Sequence, residues 1–350
     1  MTEQAVLMVV FSVLGILTFF PIFGCTGEDP FQQGYDQGKA DAAAAQAETD
    51  KKEADHAAAA KAAADEKAKA DAAALAAKAE AAKYKNFVPS YADIVSYWRL
   101  SDGENGSIQA TDSAPDMQQH GEYKNSNSGG VNRDVQGALA LGLEKDDKAA
   151  EFDGVRGYVE APHSLLLNPP QQFSLEAWIR PAGPFPLPAP QVVIGSYEVG
   201  ATGNLLRGYA LEIYSAAAGP MLRGRIGNGT GFTAIEASLG DGLEHDAWRH
   251  IVLTYDVSNK VAALYVNADN GQPDAVLPQA APAPQTPVFY VDNKSSPLRI
   301  AAGQVEQPTP SPNPAQFFKG RIDEVALYRV PIPGDVVKDH FLRGLGVALP

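Results

Sequence analysis

An all-β chain of two packed antiparallel sheets, preceded by a long N-terminal α-helix, is the fold class this sequence predicts, on three observations. In Phe173-Ser-Leu-Glu-Ala-Trp-Ile-Arg180 the apolar residues Phe173, Leu175, Ala177 and Ile179 alternate with Ser174, Glu176, Trp178 and Arg180. That is the period of a half-buried strand, and Pro169-Pro170 and Pro181 close its two ends. The alternation recurs in Trp248 to Tyr255, in Lys260 to Val266 after the turn Asp256-Val-Ser-Asn259, and in Arg321 to Val330. Many short strands with turn signals between them read as a sandwich or jelly roll. Finally, more than half of Ala40 to Ala82 is alanine, with no glycine or proline, which favours one continuous helix.

In chain order, residues 1–25 read as a signal or membrane anchor. Ala5 to Phe23 is an almost unbroken apolar run that approaches the width of a bilayer at about 1.5 Å per residue. Cys25, the only cysteine, follows directly in Ile22-Phe-Gly-Cys25, an arrangement similar to a bacterial lipoprotein cleavage site, with Cys25 as the acylated residue. Met-Thr-Glu-Gln at the start lacks Lys and Arg, and Phe23 is bulky, so an uncleaved membrane anchor is the alternative. Either predicts a membrane-anchored protein of the cell envelope, or one on a virion surface. With a single cysteine the chain makes no intramolecular disulfide.

Residues 26–39 read as a linker and 40–85 as a helical stalk. Its one large aliphatic side chain before Tyr84 is Leu75, too little for the apolar seam of a coiled coil. A solvated spacer is therefore expected, with oligomerisation through residues 40–85 as the rival. Pro89 ends the helix. Residues 86–350 carry most of the formal charge of −14, since acids and bases nearly balance between Asp41 and Lys85. An acidic surface without basic clusters argues against nucleic acid as a partner.

Several pieces of residues 86–350 together resemble the laminin G-like, concanavalin A-like jelly rolls, a family related to pentraxins. They are Val95 to Leu100, Ala110-Thr-Asp-Ser113, Ala149 to Gly154 with Gly157-Tyr-Val159, Phe173 to Arg180, Trp248 to Asp256, and Phe318 to Tyr328. The resemblance implies a non-catalytic module that binds carbohydrate or protein, often with calcium. It identifies Trp98, Trp178 and Trp248 with the family's structural tryptophans. By strand parity Trp178 also points away from Phe173 and Leu175, toward the other face of its sheet. Candidate sugar contacts are Trp178, Tyr197, Asn204, Tyr214 and Phe232, because aromatic faces stack on sugar C–H bonds and amides pair with hydroxyls.

For calcium, the resemblance points to Asp112, with Asp116 nearby, and to Asp323 in the last strand. The competing reading makes Asp112 an Asx turn and pairs Asp323 with Arg321 or Arg99. A second, pentraxin-like site would draw on Glu198, Asn204, Glu306 and Gln307, where Pro308 stands in place of a further acid. A glycanase of this architecture needs two carboxylates on one face of a strand. Asp323 and Glu324 are adjacent and by strand alternation face opposite sides. Glu244-His-Asp246 lacks a third carboxylate, so no enzyme is expected. His250 shares parity with Trp248 and Val252 and reads as a hydrogen-bonded histidine. The alternative to glycan recognition is a structural or adhesion protein whose sandwich docks a protein partner. Gly334 to Arg343 has the spacing of a short closing helix.

Overall fold

The computed structural model describes residues 30–347, apart from 82, 104–106, 117, 184, 202, 240–246, 269–278, 281–286 and 307–310. The chain divides into two compact units between residues 73 and 74. Residues 1–25, expected to form an anchor, and with them Cys25, lie outside the described residues. Among the described residues no helix is long and apolar enough to cross a membrane.

Helix α1 (Pro30–Ala81) begins ten residues before the alanine-rich block. Proline suits a first helical turn, and Gln32 and Gln37 donate to Asp36 and Asp41 one turn on. Residues 30–39, expected as a linker, are therefore helical. At about 1.5 Å per residue the helix is roughly 78 Å long. Its described side chains are exposed, and Glu48–Lys52 and Lys67–Asp71 pair along its surface. Two further helices follow, α2 (Tyr84–Phe87) and α3 (Gly334–Gly344), the latter where the periodicity of the last residues predicts it.

Eighteen strands are described. The first six are β1 (Ile94–Trp98), β2 (Gln109–Ala110), β3 (Gly121–Lys124), β4 (Val131–Gln136), β5 (Lys148–Asp153) and β6 (Tyr158–Ala161). The middle six are β7 (Phe173–Pro181), β8 (Gln191–Val199), β9 (Leu205–Ala216), β10 (Gly219–Gly227), β11 (Phe232–Ser238) and β12 (Arg249–Asp256). The last six are β13 (Val261–Ala268), β14 (Gln279–Ala280), β15 (Leu298–Ile300), β16 (Gly303–Val305), β17 (Ser311–Ala315) and β18 (Lys319–Tyr328). One sheet runs β14-β13-β12-β7-β18-β5-β4, with β1 also paired to β18. The other runs β11-β10-β9-β8-β15-β6-β3-β2, and β16 and β17 form a separate hairpin. All the pairings are antiparallel, so the chain forms the two-sheet sandwich, preceded in sequence by a long helix, that its sequence predicts.

The main core lies between the sheets. Phe173, Leu175, Ala177 and Ile179 of β7 belong to the same buried cluster as Tyr209, Leu211 and Ile213 of β9. A second core lies on the opposite face of the first sheet. There Trp178, Val252, Ala326 and Tyr328 are covered by Tyr84 and Val88 from one end of the domain and by Val337 and Phe341 of α3 from the other. Gly344 allows this approach, because a side chain there would strike the Trp178 indole. The outer face of the first sheet is thus covered over β12, the middle of β7 and the end of β18, while Asn132, Glu151, Arg321 and Arg180 leave it open to solvent across β4, β5 and the start of β18.

Candidate functional site

The covered part of the outer face of the first sheet is tied down by a buried polar network. Glu176 Oε1 accepts hydrogen bonds from Tyr84 Oη at 2.6 Å and His250 Nε2 at 2.7 Å. Glu176 Oε2 accepts from Tyr328 Oη at 2.6 Å, and His340 Nδ1 lies 2.9 Å from it. Burial alone would raise the Glu176 carboxyl, but His340 and His250 beside it outweigh burial and hold it well below the ordinary range. His250 is therefore the hydrogen-bonded histidine its strand parity implies. Trp178 does leave the inter-sheet core, as its parity predicts. It is nevertheless fully buried, 5.8 Å from Phe341 and 5.0 Å from His250 by ring centroids. The expectation that it lines an open sheet is corrected by α3, which occupies that face.

On the second sheet the outer face is open at Tyr214, Arg223, Phe232, Ala234 and Glu236, while Ala210, Glu212 and Arg225 of the same face are buried. The hairpin register sets Arg223 opposite Glu212 and Glu236, and Arg225 opposite Ala210 and Ala234. Arg225 is almost fully buried, with its guanidinium carbon 5.4 Å from the ring centroids of both Tyr197 and Phe232. It donates two hydrogen bonds to Glu306, at 2.8 and 3.0 Å, and pairs with Glu212 at 2.9 Å. Burial would lower the Arg225 pKa, but Glu212 and Glu306 raise it further. Arg223 lies 4.6 Å over the half-exposed Tyr214 ring and donates to Glu212. Tyr197 is buried under the β16–β17 hairpin, where its hydroxyl accepts from the Gln304 amide.

Tyr214 and Phe232 thus remain half-exposed, standing on a fixed lattice of two arginines and three glutamates. Asn204 is exposed at the start of β9. Sequence reasoning picked the aromatics and missed Arg223, Arg225 and Glu212. A signal for them exists: a two-residue turn between β9 and β10 fixes the register that puts Arg223 against Glu212.

A third cluster is acidic and buried. Asp147, just before β5, and Asp323 and Glu324 of β18 place an oxygen each within 4.8 Å of one another. Strand alternation separates Asp323 from Glu324, yet here they converge. The β18 register slips between Asp323 and Ala326, and Glu324 takes a left-handed backbone with φ 51°. Arg99 donates to Asp147 at 2.7 Å and to Glu324 at 3.1 Å, and Tyr97 donates to Glu324. The amides of Leu139 and Ala138 donate to Asp147 and Asp323. Asp323 Oδ1 is left without a hydrogen-bond donor. Burial, reinforced by Asp147, pushes the Asp323 carboxyl well up, and burial does the same to Glu324. Three carboxylates at this spacing can hold an ion.

The other expected calcium ligands stand apart from this cluster. Asp112 is buried and accepts from the amides of Tyr97 at 2.8 Å, Ala114 at 2.9 Å and Gln119 at 2.6 Å. Burial raises its pKa by more than those amides lower it. Its Ala114 contact is the Asx turn of the competing reading, and Asp116 is exposed nearby. Glu198 accepts from the Lys294 amide and the Ser295 hydroxyl, and Glu306 belongs to Arg225. Gln307, Pro308, Glu244 and Asp246 fall outside the described residues.

Residues 153–338, more than half of the chain, match the family model described as the concanavalin A-like lectin/glucanases superfamily, and the chain belongs to that laminin G-like family. No curated protein sequence matches it. Among solved structures it is similar to domain 4 of AbnA, an extracellular arabinanase of Geobacillus stearothermophilus, in complex with arabinotriose. That match has 16% identity and TM-score 0.42, over 71% of this chain and 98% of that one. It is also similar to a Ruminococcus gnavus sialidase CBM40 bound to α2,3-sialyllactose, with 17% identity and TM-score 0.36, over 48% and 82% of the two chains. A third likeness is to the binding domain of botulinum neurotoxin serotype G, with 12% identity and TM-score 0.47, over 72% of this chain and 51% of that one. The chain thus spans about half of that toxin domain. The family assignment rests on the sequence match.

Proposed function

We propose that this is a non-catalytic glycan-binding domain whose contact face is the outer surface of β9, β10 and β11. One observation carries the reading: on the first sheet α3 buries Trp178, whereas the second sheet presents Tyr214 and Phe232 half-exposed above a fixed arginine–glutamate lattice. Sugar rings stack their C–H faces on aromatics and give their hydroxyls to oriented polar groups. A rigid lattice loses little entropy when it makes those bonds. Glu212, Glu236 and Glu306 each pair with an arginine, which suits binding better than proton transfer.

A glycan array probed with the full chain tests this reading. Binding to one class of neutral oligosaccharide is expected, about tenfold weaker in Tyr214→Ala and in Phe232→Ala. An array that stays blank while the chain captures a protein ligand would favour the adhesion reading instead. Display at a membrane through residues 1–25 belongs to the same proposal, and the mass of the peptide bearing Cys25 checks it.

A second reading concerns the acidic cluster, and the donorless Asp323 Oδ1 favours it: calcium is held by Asp147, Asp323 and Glu324. Calcium at a hundredfold its Kd adds about 2.7 kcal/mol. The expected result is a melting temperature that rises by roughly 5 to 10 °C with calcium and falls back with chelator. In Asp323→Asn the rise should vanish. If calcium leaves the native melting temperature unchanged while Asp323→Asn raises it at neutral pH, the site holds a proton and not an ion. That sign follows from burial: a carboxyl whose folded pKa is raised costs stability once the pH exceeds its unfolded value.

A further inference from the structure

Segments before and after β1, together with the loop that leads into β7, enclose a cleft of about 520 Å³. That lies within the range of roughly 300 to 1,000 Å³ that holds a small organic ligand. Four prolines, Pro89, Pro115, Pro169 and Pro170, stand in its walls. A proline is already fixed at φ and has no flexible side chain to immobilise when a ligand arrives. The loop from Ser164 to Asn168 is tied as well. The Leu166 amide donates to Ser164 Oγ at 3.1 Å, Asn168 Nδ2 to the Ser164 carbonyl at 2.9 Å, and Ser196 Oγ to Asn168 Oδ1 at 2.7 Å.

Apolar side chains line the interior. Ile94 and Val95 both reach it, although neighbours on a regular strand face opposite sides, because the β1–β18 register slips between Ile94 and Ser96. Val95 belongs to the core between the sheets, whereas Ile94 and Tyr91 pack against the core that α3 covers, so the cleft lies at the seam of the two. Tyr91 stands edge-on to Tyr328 with ring centroids 5.7 Å apart, which fixes that wall. Leu166 packs against the inter-sheet core, yet its neighbour Leu165 is 71% exposed at the rim. A large apolar side chain held out on a tied loop gives a ligand's apolar body surface to bury.

Charge at the rim selects the ligand's polar end. Asp116 is exposed and has no hydrogen-bond or ion-pair partner among the described residues. Arg329 lines the same cleft, but it donates to Asp93 Oδ1 at 3.1 Å and to the Ala92 carbonyl at 3.4 Å, so its charge is already met. Together the three groups leave one negative charge in excess, at Asp116. Burial raises the Tyr91 phenol, and Asp93 and Asp335 raise it further, so the field over that wall is negative too. We propose that this cleft binds a small organic cation, an apolar body of aliphatic or aromatic carbon that bears one protonated amine. The amine lies at Asp116 and the body between Tyr91, Ile94 and Leu165. A carboxylate on the same body would meet Asp116 and a chain of net charge −14. The cleft shares no residue with the β9–β11 face, so the inference does not rest on the glycan reading.

The test is calorimetric titration of the full chain with octylamine, octanol and octanoate, which share one apolar body and differ in charge. The amine should bind at a single site, the alcohol about fivefold more weakly and the carboxylate more weakly still. Asp116→Asn should bring the amine down to the affinity of the alcohol and leave the alcohol unchanged. Leu165→Ala should weaken both by about fivefold. Both side chains are exposed, so each variant should keep the native melting temperature. Tyr214→Ala should change none of the three affinities. No saturable binding of the amine, a carboxylate that binds as tightly as the amine, or native amine affinity in Asp116→Asn or in Leu165→Ala would overturn the proposal.

Discussion

Arg225→Ala should cost about 3 to 5 kcal/mol and abolish glycan binding, the largest combined effect expected in this protein. The guanidinium fills the space between Tyr197 and Phe232 and is the shared counter-ion of Glu212 and Glu306. Its removal leaves the fully buried Glu212 with Arg223 alone, and leaves Glu306 without the two hydrogen bonds it accepts. It also opens a void under Phe232, one of the two half-exposed aromatics of the face. For a domain of this size the melting temperature should fall by about 10 °C. Arg225→Lys should recover little, because an ammonium cannot bridge two carboxylates as a planar fork does. Loss of glycan binding without loss of stability would mean that Arg225 contacts the ligand directly and does not hold the face together.

Glu176→Ala should be comparably damaging, at about 3 to 5 kcal/mol, with no direct effect on the binding face. One carboxylate satisfies Tyr84, Tyr328, His250 and His340, and these groups come from four separate elements. Without it, two phenols and two imidazoles lose their acceptor in a site that water does not reach, and α3 loses its polar tether. The pH dependence has a fixed sign. The folded pKa of Glu176 lies well below its ordinary value of 4.5, so its contribution is complete above that pH and is lost as the pH falls through the lowered value. Thermal melts from neutral to acid pH should therefore decline on the acid side in the native chain. In Glu176→Gln the decline should be shallower, from a lower starting point. An equally steep acid decline in Glu176→Gln would place its cause elsewhere.

Much of the sandwich is legible in the sequence, because period-two alternation reports a strand and its two faces. Phe173 to Arg180 gives both the core side of β7 and the opposite side that carries Glu176 and Trp178. Alternation does not report what covers the second side. That depends on α3 and Tyr84 returning from sequence distances of 164 and 92 residues to meet Glu176. Trp178 therefore reads as a surface aromatic from the strand alone and is a core residue in the fold. Asp323 and Glu324 show the same limit locally: two adjacent residues diverge in a regular strand, and a single left-handed residue at a bulge brings them together. Asp147 joins them through contacts that no spacing encodes. The Arg223–Glu212 pair is the more recoverable part of the arginine–glutamate lattice, since the β9–β10 turn sets its register, whereas Glu306 reaches Arg225 from 81 residues away.

Hydrogen exchange of the full chain, with and without a saturating glycan found on the array, tests the central claim most directly. The account predicts new protection in β9, β10 and β11, over residues 205–238, with the amides of β7, β12 and α3 unchanged. Protection confined to α2, α3 or the first sheet would contradict it, because the ligand would then bind away from Tyr214 and Phe232.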